Sequence, residues 1–274
     1  MSSSRTLLLP LFAATCAGCV GSPGLQSESD ATGLGLAPAY ALRIDSTLTV
    51  QHTPPEGAPE APIQIKAAVR GLLTTPPGSG TGAAPASFRL CRLDLPPVSG
   101  RRLVFDERVW PLFAEAPVTL APGPAPASWE LQPWAILMGV RDLANPVGDA
   151  LPTDPRDPRV DNVEDERPGV RISIDVTAWG DPKIDATVRV RVPRGTIAAA
   201  ADGRLVGEVD LAHDVWVWYA DMPWPVRDRD AAEANDYMQK KVVEWPILDQ
   251  RHDLTGLPLD GAADCARVLA ATGP

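Results

Sequence analysis

The sequence has few of the residues from which recognisable catalytic sites are built. Its 274 residues include three histidines and four cysteines. Neither the H-E-x-x-H motif of zinc enzymes nor the G-x-S-x-G turn of serine hydrolases occurs in it. No catalytic residues and no organic cofactor are therefore predicted, and a protein that is not an enzyme is favoured.

Positive charge is also scarce. The chain carries 25 Lys and Arg against 35 Asp and Glu, which gives a formal net charge of -10. Because such a chain is repelled by phosphate, nucleic acid is not an expected partner. Aromatic residues make up only 5%, yet 45% of the chain is hydrophobic, so wholesale disorder is excluded.

The apolar segment near the N-terminus is short. A helix needs about 20 apolar residues to span a bilayer, whereas this segment runs from Leu7 to Ala14 and contains Pro10. Arg5 precedes it and small residues follow, an arrangement typical of a cleaved export signal. We therefore expect residues 1–18 to be a signal peptide.

The end of this signal, Cys16-Ala17-Gly18-Cys19, resembles the lipobox of bacterial lipoproteins. The resemblance implies that Cys19 becomes the mature N-terminus and carries a diacylglycerol thioether, which would hold the protein on a membrane. A plain cleaved signal is the alternative. Residues 19–39 would then be the lipidated cysteine and a flexible tether, since they are rich in Gly, Ser, Pro and Ala.

The residues after Cys19 bear on localisation. Val20 and Gly21 follow it, without an Asp beside the lipid. By analogy with the sorting rule of enteric bacteria, the resemblance then implies an outer-membrane lipoprotein of the bacterial cell envelope, on the periplasmic face or the cell surface.

Two cysteines lie outside the leader. Exported proteins meet an oxidising environment, so the pair Cys91 and Cys265 predicts a disulfide. Two buried free thiols are the alternative.

Short segments that alternate apolar and polar residues recur along the chain and indicate half-buried strands. Pro- and Gly-rich turns separate them, and the Pro/Ala-rich segment 114–128 is expected to be a connector. The regular spacing predicts a mostly β fold, either an antiparallel sandwich or a barrel. The predicted strands are 41–50, 63–69, 87–95, 102–110, 170–177, 186–192, 204–211 and 215–219.

One or two short helices are expected near the C-terminus. Asp230 opens a capping-box pattern that predicts a helix through about Val242, and Asp260 is a candidate cap for a last helix with Cys265 facing inward. Domain boundaries follow from these patterns. We expect a first β-unit at 40–145, an acidic connector loop at 146–168, and a second β-unit with the helices at 169–274.

One hypothesis is that the two β-units are related to each other by an internal duplication. Ile44-Asp45-Ser46-Thr47 in the first is echoed by Ile174-Asp175-Val176-Thr177 in the second, as an internal duplication predicts. Chance similarity between short, compositionally biased strands is the alternative.

The segment from Asp149 to Arg167 is strongly acidic. Asp161 and Asp165 fit the first and fifth positions of a calcium loop, but Val163 occupies the third position and Glu166 stands where glycine is usual. A solvated acidic loop is the preferred interpretation, and a calcium site is the alternative. The segment 161–170, which ends in Pro-Gly-Val, resembles a D-x-D-x-D-G-x-P-G-V segment of some uncharacterised bacterial lipoproteins.

Tryptophan is concentrated in the second half. Trp216 and Trp218 would share one face of a strand, with Val215, Val217 and Tyr219 on the other. Packing in the core is the favoured interpretation, and a ligand pocket lined by the two tryptophans is the alternative.

These patterns predict a lipid-anchored envelope protein that acts as a binding or structural module. Its partners would be the membrane, through the lipid, and an unknown envelope partner or a small apolar ligand. Two other functions stay open. One is a lipocalin-like carrier with an apolar cavity, and the other is an envelope hydrolase that uses carboxylates.

Overall fold

A computed structural model describes most of the chain from residue 36 to residue 273. The described residues are 36–51, 58–76, 83–95, 102–105, 109–110, 113–161, 167–175, 183–221, 233, 236 and 247–273. The predicted signal peptide, Cys19 and the predicted tether up to residue 35 therefore lie outside the described residues. Within them, no helix has the length and apolar character needed to cross a membrane.

Thirteen strands and one helix are described. The helix, α1, is Cys265–Thr272. The strands are β1 (Ala39–Val50), β2 (Ile63–Thr74), β3 (Ala84–Asp94), β4 (Arg102–Phe105), β5 (Ala116–Pro122), β6 (Ser128–Leu131), β7 (Trp134–Met138), β8 (Val170–Asp175), β9 (Lys183–Val192), β10 (Gly195–Ala199), β11 (Leu205–Val209), β12 (Ala212–Asp221) and β13 (Ile247–Pro258).

Eight of these strands form a closed antiparallel barrel in the order β1-β13-β11-β10-β6-β5-β3-β2. Side-chain alternation explains the closure, because each strand turns one apolar row inward. Along β1 the inner row is Tyr40, Leu42 and Ile44, all at most 3% exposed. They belong to one continuous core cluster with inward residues of the other barrel strands.

A second antiparallel sheet has the order β12-β9-β8-β4, and β7 also pairs with β9. β7 pairs with one half of β9, from Trp134↔Val192 to Met138↔Val188, and β8 pairs with the other half. The chain therefore leaves β9 after β7 and returns to it at β8. Between them lies the segment 139–169, of which residues 139–161 and 167–169 are described. We call this segment the covering loop.

The inner face of the second sheet joins the core of the barrel. Val170, Ile184 and Val217 belong to the same buried cluster as the barrel residues, and the rings of Phe88 in β3 and Trp134 in β7 are 4.9 Å apart. Both sheets draw strands from both sides of the covering loop. The two predicted β-units are thus interleaved in space.

The echoed segments occupy different places in the fold. Ile44-Asp45-Ser46-Thr47 lies in β1 of the barrel, whereas Ile174 and Asp175 end β8 of the second sheet. The rest of the second segment falls outside the described residues.

Helix α1 packs on the outside of the barrel. Asp264 caps it by accepting a hydrogen bond from the backbone N–H of Arg267 at 2.8 Å. A small separate cluster forms beneath it from Ala39 and Ala41 of β1, Leu72 of β2 and Cys91 of β3, with Val268. Cys91 and Cys265 form a disulfide, as predicted.

The predicted mostly β fold with a barrel is confirmed, and so is a helix that ends the chain. The boundary of that helix differs, because its cap is Asp264 and not Asp260. The predicted helix at 230–242 lies outside the described residues except for Glu233 and Asp236, both of which are helical.

The predicted connector at 114–128 was wrong, because it contains strand β5 (Ala116–Pro122) and ends at the first residue of β6. Ala116, Val118 and Leu120 point into the core while Pro117 and Thr119 are exposed. The alternation is present in the sequence, but the high Pro and Ala content of the segment conceals it. Strands β6, β7, β10 and β13 also escaped prediction.

Candidate functional site

The strongest grouping of polar and aromatic side chains lies on the outer face of the second sheet. Strand β9 sends every second side chain to this face, and these side chains are polar. Strand β12 sends its tryptophans to it. We call this surface the outer face; its residues are Asp185, Thr187, Arg189 and Arg191 of β9, Asp214, Trp216, Trp218 and Tyr219 of β12, and Arg171 of β8.

A β-bulge in β12 sets which aromatic residues reach the outer face. The pairing with β9 shifts register between Val217 and Tyr219, leaving Trp218 as the extra residue. A bulge of this kind lets two consecutive residues lie on the same side. Tyr219 consequently lies opposite Asp185, on the side of the tryptophans. The expectation that Tyr219 shares a face with Val215 and Val217 was therefore wrong.

Trp218 is fixed at the centre of this face by a hydrogen bond. Its indole N–H donates to the hydroxyl of Thr187 at 2.8 Å, and both residues are buried, with exposures of 4% and 0%. The rings of Trp216 and Trp218 meet edge to face at 6.1 Å. Trp216 is only half-buried, and its indole nitrogen is buried without a hydrogen-bond partner.

The covering loop ends against Trp218, and its first residue lies against its last. Gly139 and Gly169 have φ angles of +73° and +86°, a region that side chains rarely adopt. A Cβ on Gly169 would meet the carbonyl oxygen of Ala186 and would lie 3.0 Å from Cδ1 of Trp218. Glycine at both ends therefore lets the loop close tightly against the sheet.

Arg189 connects the sheet to the covering loop. Its Nε donates to Oδ2 of Asp214 at 2.8 Å, and its Nη1 donates to the carbonyls of Pro146 and Asp149. Arg191 donates to the other carboxylate oxygen of Asp214 at 3.0 Å. The guanidinium of Arg189 is 8% exposed, so its charge is matched and its donors are shared between sheet and loop.

A second ion cluster lies at the other end of the outer face. Asp185 is 2% exposed and accepts from Nε of Arg171 at 2.8 Å and from Arg167 at 3.4 Å. The Arg167 guanidinium also lies over the ring of Tyr219, 4.9 Å from its centroid. Tyr219 itself is 42% exposed. This end therefore presents an aromatic ring and a cation at the surface.

The described part of the acidic loop is built from tight side-chain turns. Asp154 and Asp157 accept from the backbone N–H groups of Arg156 and Arg159, each at 2.9 Å. The Arg159 side chain also pairs with Asp157, and these hydrogen bonds lower the pKa of Asp157 to about 2. The aspartates here order the backbone.

The calcium candidates are only partly described. Asp161 joins the backbone network, since its N–H donates to the carbonyl of Gly139 at 3.1 Å and its carbonyl accepts from Gly169 at 2.7 Å. Asp165 lies outside the described residues. Among the residues that the structure does describe, no three His, Cys, Asp or Glu side chains are grouped closely enough to hold a metal ion.

One further polar pair lies inside the barrel. Nδ1 of His252 is 2.9 Å from the hydroxyl of Ser46, its direct partner across β1 and β13, and each residue is 5% exposed. Burial lowers the pKa of His252, although the charges of Asp210 and Asp253 oppose this effect. The Nε2 atom is buried without a partner.

Sequence reasoning found the tryptophans but missed the polar network around them. Thr187, Arg189 and Asp214 were not singled out. The available signal was the alternation of Asp185, Thr187, Arg189 and Arg191 along one strand, which a sequence alone would assign to a solvent-facing row. Residues of the covering loop contact three members of that row, Asp185, Thr187 and Arg189, which are buried. Arg191 stays partly exposed.

Comparisons of the chain with protein-family models, with curated proteins and with solved structures found no significant match.

Proposed function

We propose that this protein is a lipid-anchored module of a bacterial cell envelope with a binding or structural role. The observation that carries the proposal is the disulfide between Cys91 and Cys265. Disulfides persist in exported proteins and are rare in the reducing cytosol. An export signal and a disulfide are independent features, and both favour a location outside the cytoplasm.

The anchor in this proposal is Cys19, by its resemblance to a lipobox cysteine. A membrane partner reached through the lipid, and sorting to the outer membrane, belong to the same proposal. Residues 36–38 are already packed or hydrogen-bonded on the barrel. The 16 residues from Val20 to Gly35 would therefore separate the lipid from it by at most about 55 Å when fully extended. A barrel on such a tether can reach partners beside the membrane without being embedded in it.

The barrel interior favours this role over that of a carrier. An eight-stranded barrel is just wide enough to be filled by side chains or to hold one small ligand. In this barrel Tyr40, Phe88, Leu73, Leu120 and Leu205 are all at most 2% exposed and belong to one core cluster. Native mass spectrometry of the purified protein tests the alternative, because a co-purifying apolar ligand would favour a lipocalin-like carrier.

The outer face is the candidate surface for a partner. It combines exposed Tyr219 and half-buried Trp216 with the charged groups of Arg191 and Asp214. Arg167 of the covering loop lies over the ring of Tyr219 at its edge. Aromatic and arginine side chains are enriched where proteins bind each other. A pocket formed by Trp216 and Trp218 stays a prediction, and Trp218 already uses its N–H within the protein.

Metabolic labelling tests the anchor. The full chain is expressed in a bacterium fed with an alkyne-tagged fatty acid, and the label on the protein is read after coupling to a dye. We expect labelling of the wild type and its loss in Cys19→Ala, with Cys16→Ala as the matched control that keeps the label. Equal labelling of the wild type and Cys19→Ala would contradict the proposal.

A further inference from the structure

Helix α1 is fastened to the outside of the barrel at its two ends. Its first residue, Cys265, is joined to Cys91 of β3. At its last turn, Nη1 of Arg43 donates to the carbonyl of Thr272 at 2.9 Å, and Nη1 of Arg70 donates to the carbonyl of Gly273. One fastening is covalent, and the other consists of two hydrogen bonds.

Between the disulfide and these hydrogen bonds, the apolar contact of α1 with the barrel is small. Val268 is the one residue of α1 that is fully buried, whereas Ala266, Arg267, Ala270 and Ala271 are exposed. Isolated helices of about 12 residues or fewer are marginal in water, and α1 has eight. The position of α1 therefore depends heavily on the disulfide.

The segment before α1 allows the helix to move without disturbing the barrel. The last backbone bond of this region to a barrel strand is from Leu259 N–H to the carbonyl of Ala39, at 2.9 Å. Residues 260–264 follow, with Gly261 at a φ of +75°. Barrel strand β13 has already ended at Pro258. Residues 260–264 therefore form a hinge that lies outside the sheet.

We propose that α1 is a redox-released strap. A dithiol reductant of the thiol–disulfide exchange class would open the Cys91–Cys265 bond, and α1 would then leave the barrel surface while the barrel stays closed. This inference rests on the disulfide and not on the lipid anchor, so either can fail without the other.

The proposed thiol–disulfide exchange conserves electrons and protons. A thiolate of the reductant attacks Sγ of Cys265, because Cys265 is half-buried whereas Cys91 is 2% exposed. Cys91 leaves as a thiolate and takes a proton. The second thiol of the reductant then displaces Cys265, so the protein gains two electrons and two protons while the reductant becomes a disulfide.

Release would uncover a defined surface. Ala39, Ala41 and Leu72 lie beneath α1, and Arg70 beside them would lose the carbonyl of Gly273. The patch would be apolar and would include Ala39, the first residue of β1, while Arg70 beside it would keep its ion pair with Asp94. The strap would therefore control whether this patch is exposed to solvent.

Hydrogen exchange with and without dithiothreitol tests the proposal on the mature chain. We expect the amides of residues 268–272 to exchange about tenfold faster or more after reduction, while those of β1 and β13 stay protected. The matched control is the Cys91→Ser/Cys265→Ser variant. It is expected to show fast exchange in α1 in both conditions and no response to the reductant.

Two results would overturn the proposal. Unchanged protection of residues 268–272 after complete reduction would mean that packing and hydrogen bonds hold α1 without the bond. Simultaneous loss of protection in α1, β1 and β13 would mean that the disulfide supports the whole barrel and does not control a strap. Thiol alkylation of Cys91 and Cys265, read by mass spectrometry, verifies that reduction was complete in either case.

Discussion

Trp218 and Thr187 form the hydrogen bond on which the outer face of the second sheet is organised. The indole N–H and the threonine hydroxyl are 2.8 Å apart, and neither residue is more than 4% exposed. The bond crosses from β12 to β9 beneath the covering loop. It therefore links the bulge in one strand to the loop that closes over both.

Thr187→Val should destabilise the protein by about 1–3 kcal/mol. The substitution keeps the side-chain shape but leaves the indole N–H of Trp218 buried and unpaired. Urea denaturation followed by circular dichroism measures the change. Thr196→Val is the matched control, because Thr196 is an exposed threonine on strand β10, and it should change stability by no more than about 0.5 kcal/mol. Equal effects of the two substitutions would show that the hydrogen bond contributes little.

Gly169→Ala should destabilise the protein more than Gly203→Ala. Both glycines have a positive φ, +86° and +79°, so each alanine carries a backbone cost of about 1–2 kcal/mol. A Cβ at Gly169 would also meet the carbonyl of Ala186, whereas at Gly203 the nearest atom is 3.9 Å away. Thermal unfolding of the two variants separates the steric cost from the backbone cost. Equal melting temperatures would mean that the covering loop shifts freely.

Stability should fall as the pH drops below about 6.5, in part because of His252. Burial lowers the pKa of this histidine from 6.5, so the folded state binds fewer protons than the unfolded state. The contribution of neutral His252 to the free energy of unfolding is therefore fully present above the pKa that the histidine has in the unfolded state. It is lost as the pH falls toward the lower pKa of the folded state. Urea denaturation at about pH 7.5 and about pH 5 measures the difference.

His252→Gln should reduce that difference in stability between the two pH values. His213→Gln is the matched control, since His213 lies exposed on β12 and should leave the difference unchanged. An undiminished pH dependence in His252→Gln would assign the effect to other groups.

Calcium separates the two interpretations of the acidic loop. A solvated loop predicts that millimolar calcium leaves the melting temperature unchanged. A calcium site predicts a rise that Asp161→Asn/Asp165→Asn abolishes. Asp154→Asn is a suitable control, because Asp154 is engaged with the backbone of Arg156.

Local alternation was sufficient to predict the architecture where apolar residues are frequent. Strands β1, β2, β8 and β9 follow this rule, and the prediction of a mostly β fold, either a sandwich or a barrel, followed from the number and spacing of such segments. Strand β13 was missed because five consecutive polar residues, 249–253, interrupt its alternation. It is a strand because it pairs with β1 along its length, from Tyr40↔Pro258 to Val50↔Ile247, which is a relationship between opposite ends of the chain.

The candidate site was less predictable for a related physical reason. The tryptophans of β12 are visible in the sequence, but the bulge that rotates Tyr219 onto their face depends on the pairing with β9. The covering loop likewise contacts buried members of a row that looks solvent-facing. Such features follow from tertiary contacts. In the sequence they are marked only by Gly139 and Gly169 at the two ends of the covering loop.

The central claim is that this barrel is exported and held on a membrane by Cys19. Intact mass spectrometry of the mature N-terminal peptide, from protein purified out of bacterial membranes, tests it most directly. The account predicts a peptide that begins at Cys19 and carries a diacylglycerol thioether. A peptide with an unmodified Cys19, or one that begins at another residue, would contradict it.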